Sequence, residues 1–359
     1  MSDAFPPADA ATQPARRILV IRPDRIGDVV LATPVIRALR QAFPSAFLAA
    51  MVRPATEPVL RGNPHLDEIL IDDPEGVHAG RRGFFDRRRA LRLRRFDTAL
   101  MLLPTERHAW MTALAGIRTR IGVGTKLYQV LTCTRGVSRR KYIPLRHEAD
   151  YCLDLVRALG VTTPGSAAED LRTEVFLSEE ERAMARERLR SAGRDTSRAL
   201  VSVHPESGHS APNWTLPMYR DFVVALREHI PEAQVLIPAS PGNAEVRTLF
   251  GDLPADGIVL PESGDLRFLM GMIAEARVVV SASTGPMHLA AALGIPTVSL
   301  FCPLTACSPV LWGPQGNHAV TLLPPDEYCR TQCPGDPHIC TLAGGITAEA
   351  VIAAVRPLL

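Results

Sequence analysis

Nowhere in the 359 residues is there a run of about 18 uncharged apolar residues, so nothing in the chain reads as a membrane-spanning helix. Met1 to Gln13 has no basic start followed by an apolar stretch, only Ala, Pro and Asp among small polar residues. It reads as a disordered lead-in and not as a signal peptide. Net charge is nearly absent too: 40 Lys plus Arg against 38 Asp plus Glu gives +2, too weak a field to imply nucleic-acid binding. A three-glycine dinucleotide fingerprint is missing after the first strand-like run, which disfavours a nicotinamide cofactor. The seven cysteines are odd in number and scattered through apolar or loop contexts, which fits reduced thiols better than a disulfide framework. The expected compartment is therefore the cytoplasm.

What remains is the composition of an ordinary globular protein, 46% hydrophobic and 22% charged, long enough for two domains with real cores. Short runs rich in β-branched residues alternate with helix-period stretches, the pattern of an α/β fold with a doubly wound parallel sheet. The first half reads as strands at Arg17 to Arg22, Phe47 to Val52, Glu68 to Ile71, Thr98 to Leu103 and Thr119 to Val123. Helices are expected between them, one of them starting with Thr33 as cap and Pro34 in the first turn. Gly124 to Leu145 has little period and reads as irregular loop, and helical spacing returns at His147 to Leu159. Gly160 to Asp170 is aperiodic and rich in Gly, Pro, Thr and Ser, which makes it the expected linker. Beyond it, Ser178 and Glu181 spell a capping box, and strand-helix alternation resumes from Ala199 to Phe301. The expected organisation is a disordered lead at 1–15, one Rossmann-like domain at 16–165 and another at 171–359. The last helix is a candidate to pack back on the N-terminal domain.

Ligands of open parallel sheets bind beyond the carboxyl ends of the strands, so loops that follow strands are where chemistry is expected. Three stand out. The first, Arg22-Pro23-Asp24-Arg25-Ile26-Gly27-Asp28, offers Gly27 for close backbone approach and the Asp28 carboxylate as a proton acceptor, or as a plain helix cap. The second runs from His204 to Trp214, with Ser207, His209 and Asn213 as polar groups suited to a diphosphate, or as a surface loop anchored by Trp214. The third, Ser283-Thr284-Gly285-Pro286-Met287-His288, ends a strand and opens a helix whose free amides and positive dipole end make an anion site. His288 in that first turn is either a phosphate contact or a hydrogen-bonded core histidine.

These segments, in this order and spacing, resemble glycosyltransferase family 9, the ADP-heptose:lipopolysaccharide heptosyltransferases. The resemblance covers about Arg16 to the C-terminus. It is carried by Ile26-Gly27-Asp28-Val29-Val30-Leu31-Ala32-Thr33-Pro34 and by Ser283 to Gly294, with support from Arg120-Ile121-Gly122, His147-Glu148 and Leu311-Trp312-Gly313-Pro314. It implies the GT-B architecture, two Rossmann-like domains facing a central cleft, with acceptor on the N-terminal and nucleotide sugar on the C-terminal domain. It further implies inverting, metal-independent transfer of a heptose or similar sugar from an ADP-sugar to a lipopolysaccharide-core-type acceptor, with no cofactor. Asp28 matches the family's general base, and the turn from Ser283 to His288 matches its diphosphate site. The implied partners are the nucleotide-sugar donor and an acidic glycolipid, with peripheral contact at the inner face of an anionic membrane left open.

Two positions depart from that pattern. Pro212 and Asn213 stand where relatives carry a phosphate-binding cation before the tryptophan, and Ser283 stands where many heptosyltransferases have Asp. Arg22, Arg25 and His209 are the candidates to replace the cation. The departures keep two alternatives in play: a GT-B transferase or epimerase using another nucleotide sugar, and a non-catalytic nucleotide-sugar-binding protein. Eight arginines with the single acid Asp86 between Arg81 and Arg95 are read either as a solvated helix face or as a patch that draws anionic groups. Cys329, Cys333, His338 and Cys340 have a short, irregular spacing that reads as a loop of reduced thiols, with a zinc site as the alternative.

Overall fold

The computed structural model describes residues 16–138, 143, 145–163, 171–208, 211–240, 243–254, 256–262 and 264–359. The lead at 1–15 and most of the expected linker, 164–170, lie outside them. The chain divides into two compact units, Met1–Leu171 and Arg172–Leu359.

The first unit contains β1 (Arg17–Ile21), α1 (Ile26–Val30), α2 (Thr33–Ala42), β2 (Phe47–Val52), α3 (Glu57–Leu60), β3 (Glu68–Ile71) and α4 (Gly80–Arg94). It continues with β4 (Thr98–Met101), α5 (Glu106–Leu114), β5 (Thr119–Val123), α6 (Leu127–Leu131), β6 (Arg135–Val137) and α7 (Glu148–Arg157). Every strand pairing is parallel, in the order β3-β2-β1-β4-β5-β6. Strands covered by helices on both faces have no polar side to present, which is why β1, β2 and β4 read as unbroken apolar runs and are buried almost throughout.

Two local expectations fail. Thr33 does not cap α2: its hydroxyl donates to the Val30 carbonyl at 2.7 Å, and the capping position falls on Ala32, because α1 runs almost directly into α2. The segment expected as loop from Gly124 onward contains α6 and β6. Helix α6 leaves Leu127, Val130 and Leu131 exposed, so it has no core-facing stripe for a periodicity argument to find.

The second unit contains α8 (Glu179–Ser191), β7 (Leu200–His204), α9 (Leu216–His229), β8 (Gln234–Leu236), α10 (Ala244–Gly251), β9 (Ile258–Val259) and α11 (Leu266–Ala274). Then follow β10 (Val278–Ala282), α12 (Gly285–Ala292), β11 (Thr297–Leu300), α13 (Pro309–Trp312), β12 (Ala319–Leu322), α14 (Asp326–Thr331) and α15 (Ala348–Val355). Its sheet, β12-β11-β10-β7-β8-β9, repeats the strand order of the first and is likewise all parallel. The capping box holds: Ser178 Oγ accepts from the Glu181 amide and Glu181 accepts from the Ser178 amide. Glu181 also pairs with buried Arg267 of α11, at 2.7 Å from Nε, while Gly271 lets α11 approach α8 so closely that a Cβ there would sit 2.7 Å from that of Ala185. Val351, Ile352 and Val355 of α15 are buried in the core of this second unit.

Candidate active site

In both sheets the chain starts in the middle, builds outward to one edge, and returns to build the other. The reversal lies between β1 and β4 in the first unit and between β7 and β10 in the second. Connections there leave in opposite directions and open a crevice at the carboxyl ends of the strands. All three segments singled out in the sequence border these reversals: the first follows β1, the second follows β7, and the third follows β10. In the second unit Ser281 pairs in register with His204, so two of the segments leave adjacent strands side by side.

Beyond β1, Arg22 is buried with 4% of its side chain exposed, and three carboxylates share its guanidinium. Nη2 donates to Asp28 Oδ1 at 2.7 Å, Nε lies 2.8 Å from Asp24 Oδ1, and both Nη atoms reach Glu148 Oε1 at 3.3 Å. The Cys152 sulfur lies 3.4 Å from Nη1. Burial pulls against the charge of Arg22, but Cys152 and the three carboxylates outweigh it and hold the proton more tightly than usual. Asp24 shows the opposite balance: burial, against the pull of Arg22, pushes its carboxyl up to about 6. Asp28 is not a helix cap. It lies inside α1, whose capping position is Arg25, and its carboxylate is held by Arg22. Gly27 is helical and makes no left-handed turn. Arg25 is exposed and has no ion-pair partner among the described residues, whereas the charge of Arg22 is already committed.

At the same strand edge lies a second buried network that the sequence reading missed. Asp72, directly after β3, accepts from Arg107 Nε and Nη2 at 2.7 and 2.8 Å and lies 3.2 Å from His108 Nε2. Burial of Asp72 is outweighed by hydrogen bonds from Arg107 and His108, which hold its carboxyl well below the usual range. His108 Nδ1 lies 2.7 Å from the Thr105 hydroxyl, which also caps α5 by accepting from the His108 amide. The network fastens the end of β3 to the start of α5; Asp72 and His108 are 36 positions apart, beyond the reach of a local motif.

In the second unit, His204 ends β7 with 7% exposure, and burial lowers its imidazole to about 4, against the opposing pull of Glu206. It is neutral at pH 7, and its Nδ1 has no hydrogen-bond partner among the described residues. Asn213 staples the following loop: Nδ2 donates to the Pro205 carbonyl at 3.0 Å and Oδ1 accepts from the Tyr219 hydroxyl at 2.8 Å. Trp214 is buried against Tyr219, edge to face with centroids 5.4 Å apart, so it anchors the loop as a core residue. His209 lies outside the described residues. Ser207 is half-buried in the wall of a pocket of about 490 Å³, which also includes Glu206, Trp214, Asn243 and Glu245.

After β10, Ser283, Gly285 and Pro286 are half-buried, Met287 is fully buried in the first turn of α12, and His288 is buried at 5%. Thr284 occupies the capping position in an extended conformation but makes no capping bond, and its hydroxyl is buried without a partner among the described residues. Thus His204 Nδ1, Trp214 Nε1 and Thr284 Oγ1, all in the second and third segments, are buried polar atoms left unsatisfied. Buried polar groups are almost always hydrogen-bonded, so the set makes this sheet edge a candidate place for a polar ligand or ordered water. Among the described residues no group of three or more His, Cys, Asp or Glu is disposed to hold an ion. Around the C-terminal cysteines, the buried Cys340 sulfur instead lies 3.9 Å from the Tyr328 hydroxyl.

The model of glycosyltransferase family 9 (heptosyltransferase) matches residues 85–335 of the chain. The chain belongs to this family. A Haemophilus influenzae protein, whose own description as a glycosyltransferase is provisional, is 27% identical over 83% of this chain and 86% of its own length. Among solved structures, a glycosyltransferase family 9 protein from Veillonella parvula superposes with a TM-score of 0.77 at 23% identity, covering 96% of this chain and 97% of its own. The Escherichia coli ADP-heptose lipopolysaccharide heptosyltransferase II does so at 0.73 and 20% identity, over 95% and 98%. The fold is accordingly GT-B, built of two Rossmann-like domains. Membership of family 9 makes the protein a glycosyltransferase. No described helix is long and apolar enough to cross a membrane.

Proposed function

We propose that this family 9 glycosyltransferase moves a heptose, or a closely similar sugar, from an ADP-sugar to a lipopolysaccharide-core-type acceptor with inversion and without metal. The observation that carries the donor half is the triplet of unsatisfied buried atoms around the β7–β10 reversal, beside the start of α12. A diphosphate there meets free amides and the positive end of the helix, which stabilise the leaving group in place of a cation. Arg25 and the exposed end of the first segment serve the acceptor. In the reaction the acceptor hydroxyl oxygen bonds to the anomeric carbon and its proton passes to Asp28. The nucleoside diphosphate leaves with the electron pair of the bond that breaks. Arg22, donating from Nη2 at 2.7 Å, aims the Asp28 carboxylate.

A second reading makes Asp24 the base, favoured by its carboxyl standing at about 6, nearer the pH of the reaction. Steady-state kinetics with ADP-heptose separate the two. Asp28→Asn is expected to lower kcat by about 100-fold or more, with Asp24→Asn far milder; the reverse ranking assigns the base to Asp24. Thr284→Val is expected to raise the donor KM by up to about tenfold, the worth of one hydrogen bond, with kcat nearly kept.

The acceptor is a lipid, and α4 supplies a surface suited to it. At 3.6 residues per turn Arg81, Arg82, Arg89 and Arg92 fall on its solvent face together with Phe85 and Leu93, which are 47% and 70% exposed. Exposed guanidiniums interleaved with apolar side chains fit the headgroup layer of an anionic membrane.

A further inference from the structure

At the amino ends of β4, β5 and β6, the sheet edge opposite to Arg22 and Asp28, lies a cavity of about 740 Å³. Among the described residues its wall includes Arg16, Arg118, Arg120, Arg135 and Arg157, against the single acid Asp97. We propose that this cavity is a second anion site, which takes a compact phosphate-bearing ligand without a nucleobase.

The charge balance separates this from a solvated arginine cluster. The charge of Arg157 is spent on Asp150 and Asp154, each at 2.7 Å. Arg118, Arg120 and Arg135 have no carboxylate partner among the described residues. Arg120 donates to the carbonyls of Ile117 and Thr132, and Arg135 to that of Ala158 at 2.9 Å, so neutral acceptors hold both guanidiniums in place without cancelling their charge. Thr132 and Ala158 are the C-caps of α6 and α7. A helix end is worth about half a charge, and less for the five residues of α6, so the two together offset roughly one of three cations. Asp97 accepts from the Arg17 amide and the Thr98 hydroxyl at 2.6 Å each, neutral donors that leave its charge in place, so it offsets roughly one more cation and about one of the three remains. The wall is left positive, with pre-positioned donors at its rim.

The size is that of a small-molecule site. Ile121 and Leu159 give the wall some apolar surface, yet among the described residues no aromatic ring lines it to stack a base, which is why the ligand is read as a phosphorylated sugar or oligophosphate and not a nucleotide. Within its own unit the site lies at the strand ends opposite to the segment after β1 that serves the acceptor, so it stands or falls independently of the reaction proposed above.

Cys133 lines this cavity and is the one exposed cysteine, which gives a local readout that binding at the donor turn does not move. The experiment follows alkylation of Cys133 by iodoacetamide in the full-length protein, by peptide mass spectrometry, with and without pyrophosphate at fixed ionic strength. At ten times its Kd, pyrophosphate is expected to slow the reaction about tenfold. The slowing should vanish in Arg118→Glu/Arg135→Glu, with circular dichroism confirming that the variant is folded. Protection by pyrophosphate assigns a free phosphate ligand; protection by phosphatidate vesicles alone assigns a lipid headgroup. If neither protects, or if the charge-reversed variant is protected as well as the parent, the site does not exist.

Discussion

Replacing Arg22 by glutamine strips Asp24, Asp28 and Glu148 of the guanidinium they share while leaving all three out of bulk water. Glu148 has 3% of its side chain exposed, Asp24 16% and Asp28 19%. Removing one partner of a buried ion pair costs about 3–5 kcal/mol, and Arg22 is the partner of three acids. For a unit of this size each kcal/mol lowers the midpoint by about 2–4 °C, so the first unit should melt about 6–20 °C lower at pH 8. The loss must shrink on acidification. Asp24 is an acid raised to about 6 in the fold, so its stabilising share is fully present below its unfolded pKa and disappears as pH climbs through 6. Without Arg22 it rises further, and at pH 5 the site can neutralise itself by taking up protons. Calorimetric melts of the parent, Arg22→Gln and Arg22→Gln/Asp24→Asn at pH 5 and pH 8 test this. The deficit should be larger at pH 8, and the double variant should regain part of it. Equal deficits at both pH values, with no gain from the second substitution, would refute the account of Arg22 as a charge hub.

In the second unit, Arg267 and the Ser178 amide hold the Glu181 carboxyl down at about 2, so this pair stabilises above the unfolded pKa of a glutamate and weakens as pH falls toward 2. Arg267→Met should therefore cost about 3 kcal/mol at pH 7, and urea midpoints for parent and variant should converge as the pH is lowered from 5 to 2. On α4, Arg82→Glu/Arg89→Glu/Arg92→Glu should weaken binding to anionic vesicles by about 100-fold or more, at about 1 kcal/mol for each arginine lost near the surface. Sedimentation with unchanged binding would remove α4 from the acceptor-side surface.

Phe47 to Val52 was legible because a strand covered on both faces demands an unbroken apolar run, and Glu68 to Ile71 and Thr119 to Val123, polar only at their starts, also fall where the residues alone put them. The three segments were legible for a related reason, since a strand that breaks into Gly, Pro and hydroxyl residues before a helix is a local pattern. What each side chain does there was not local. Arg22 reads as a free phosphate ligand until Glu148, 126 positions away, is seen against it. That Asn213 and Trp214 also fasten the loop shows only in the packing of Tyr219. Helix α6 escaped because its amide cap, Lys126 N to Gln129 Oε1 at 2.8 Å, belongs to a residue pair with weak capping preference.

Both halves use one strand order, and in each half the functional loops leave from that half's own point of reversal. A crossover between relatives at Leu171 and Arg172 would therefore exchange a complete reversal point with its loops and cut through none of them. With acceptor on the first unit and nucleotide sugar on the second, as proposed, such chimaeras would reassign the sugar delivered while keeping the molecule that receives it, and a lineage could diversify one specificity while the other is held under selection.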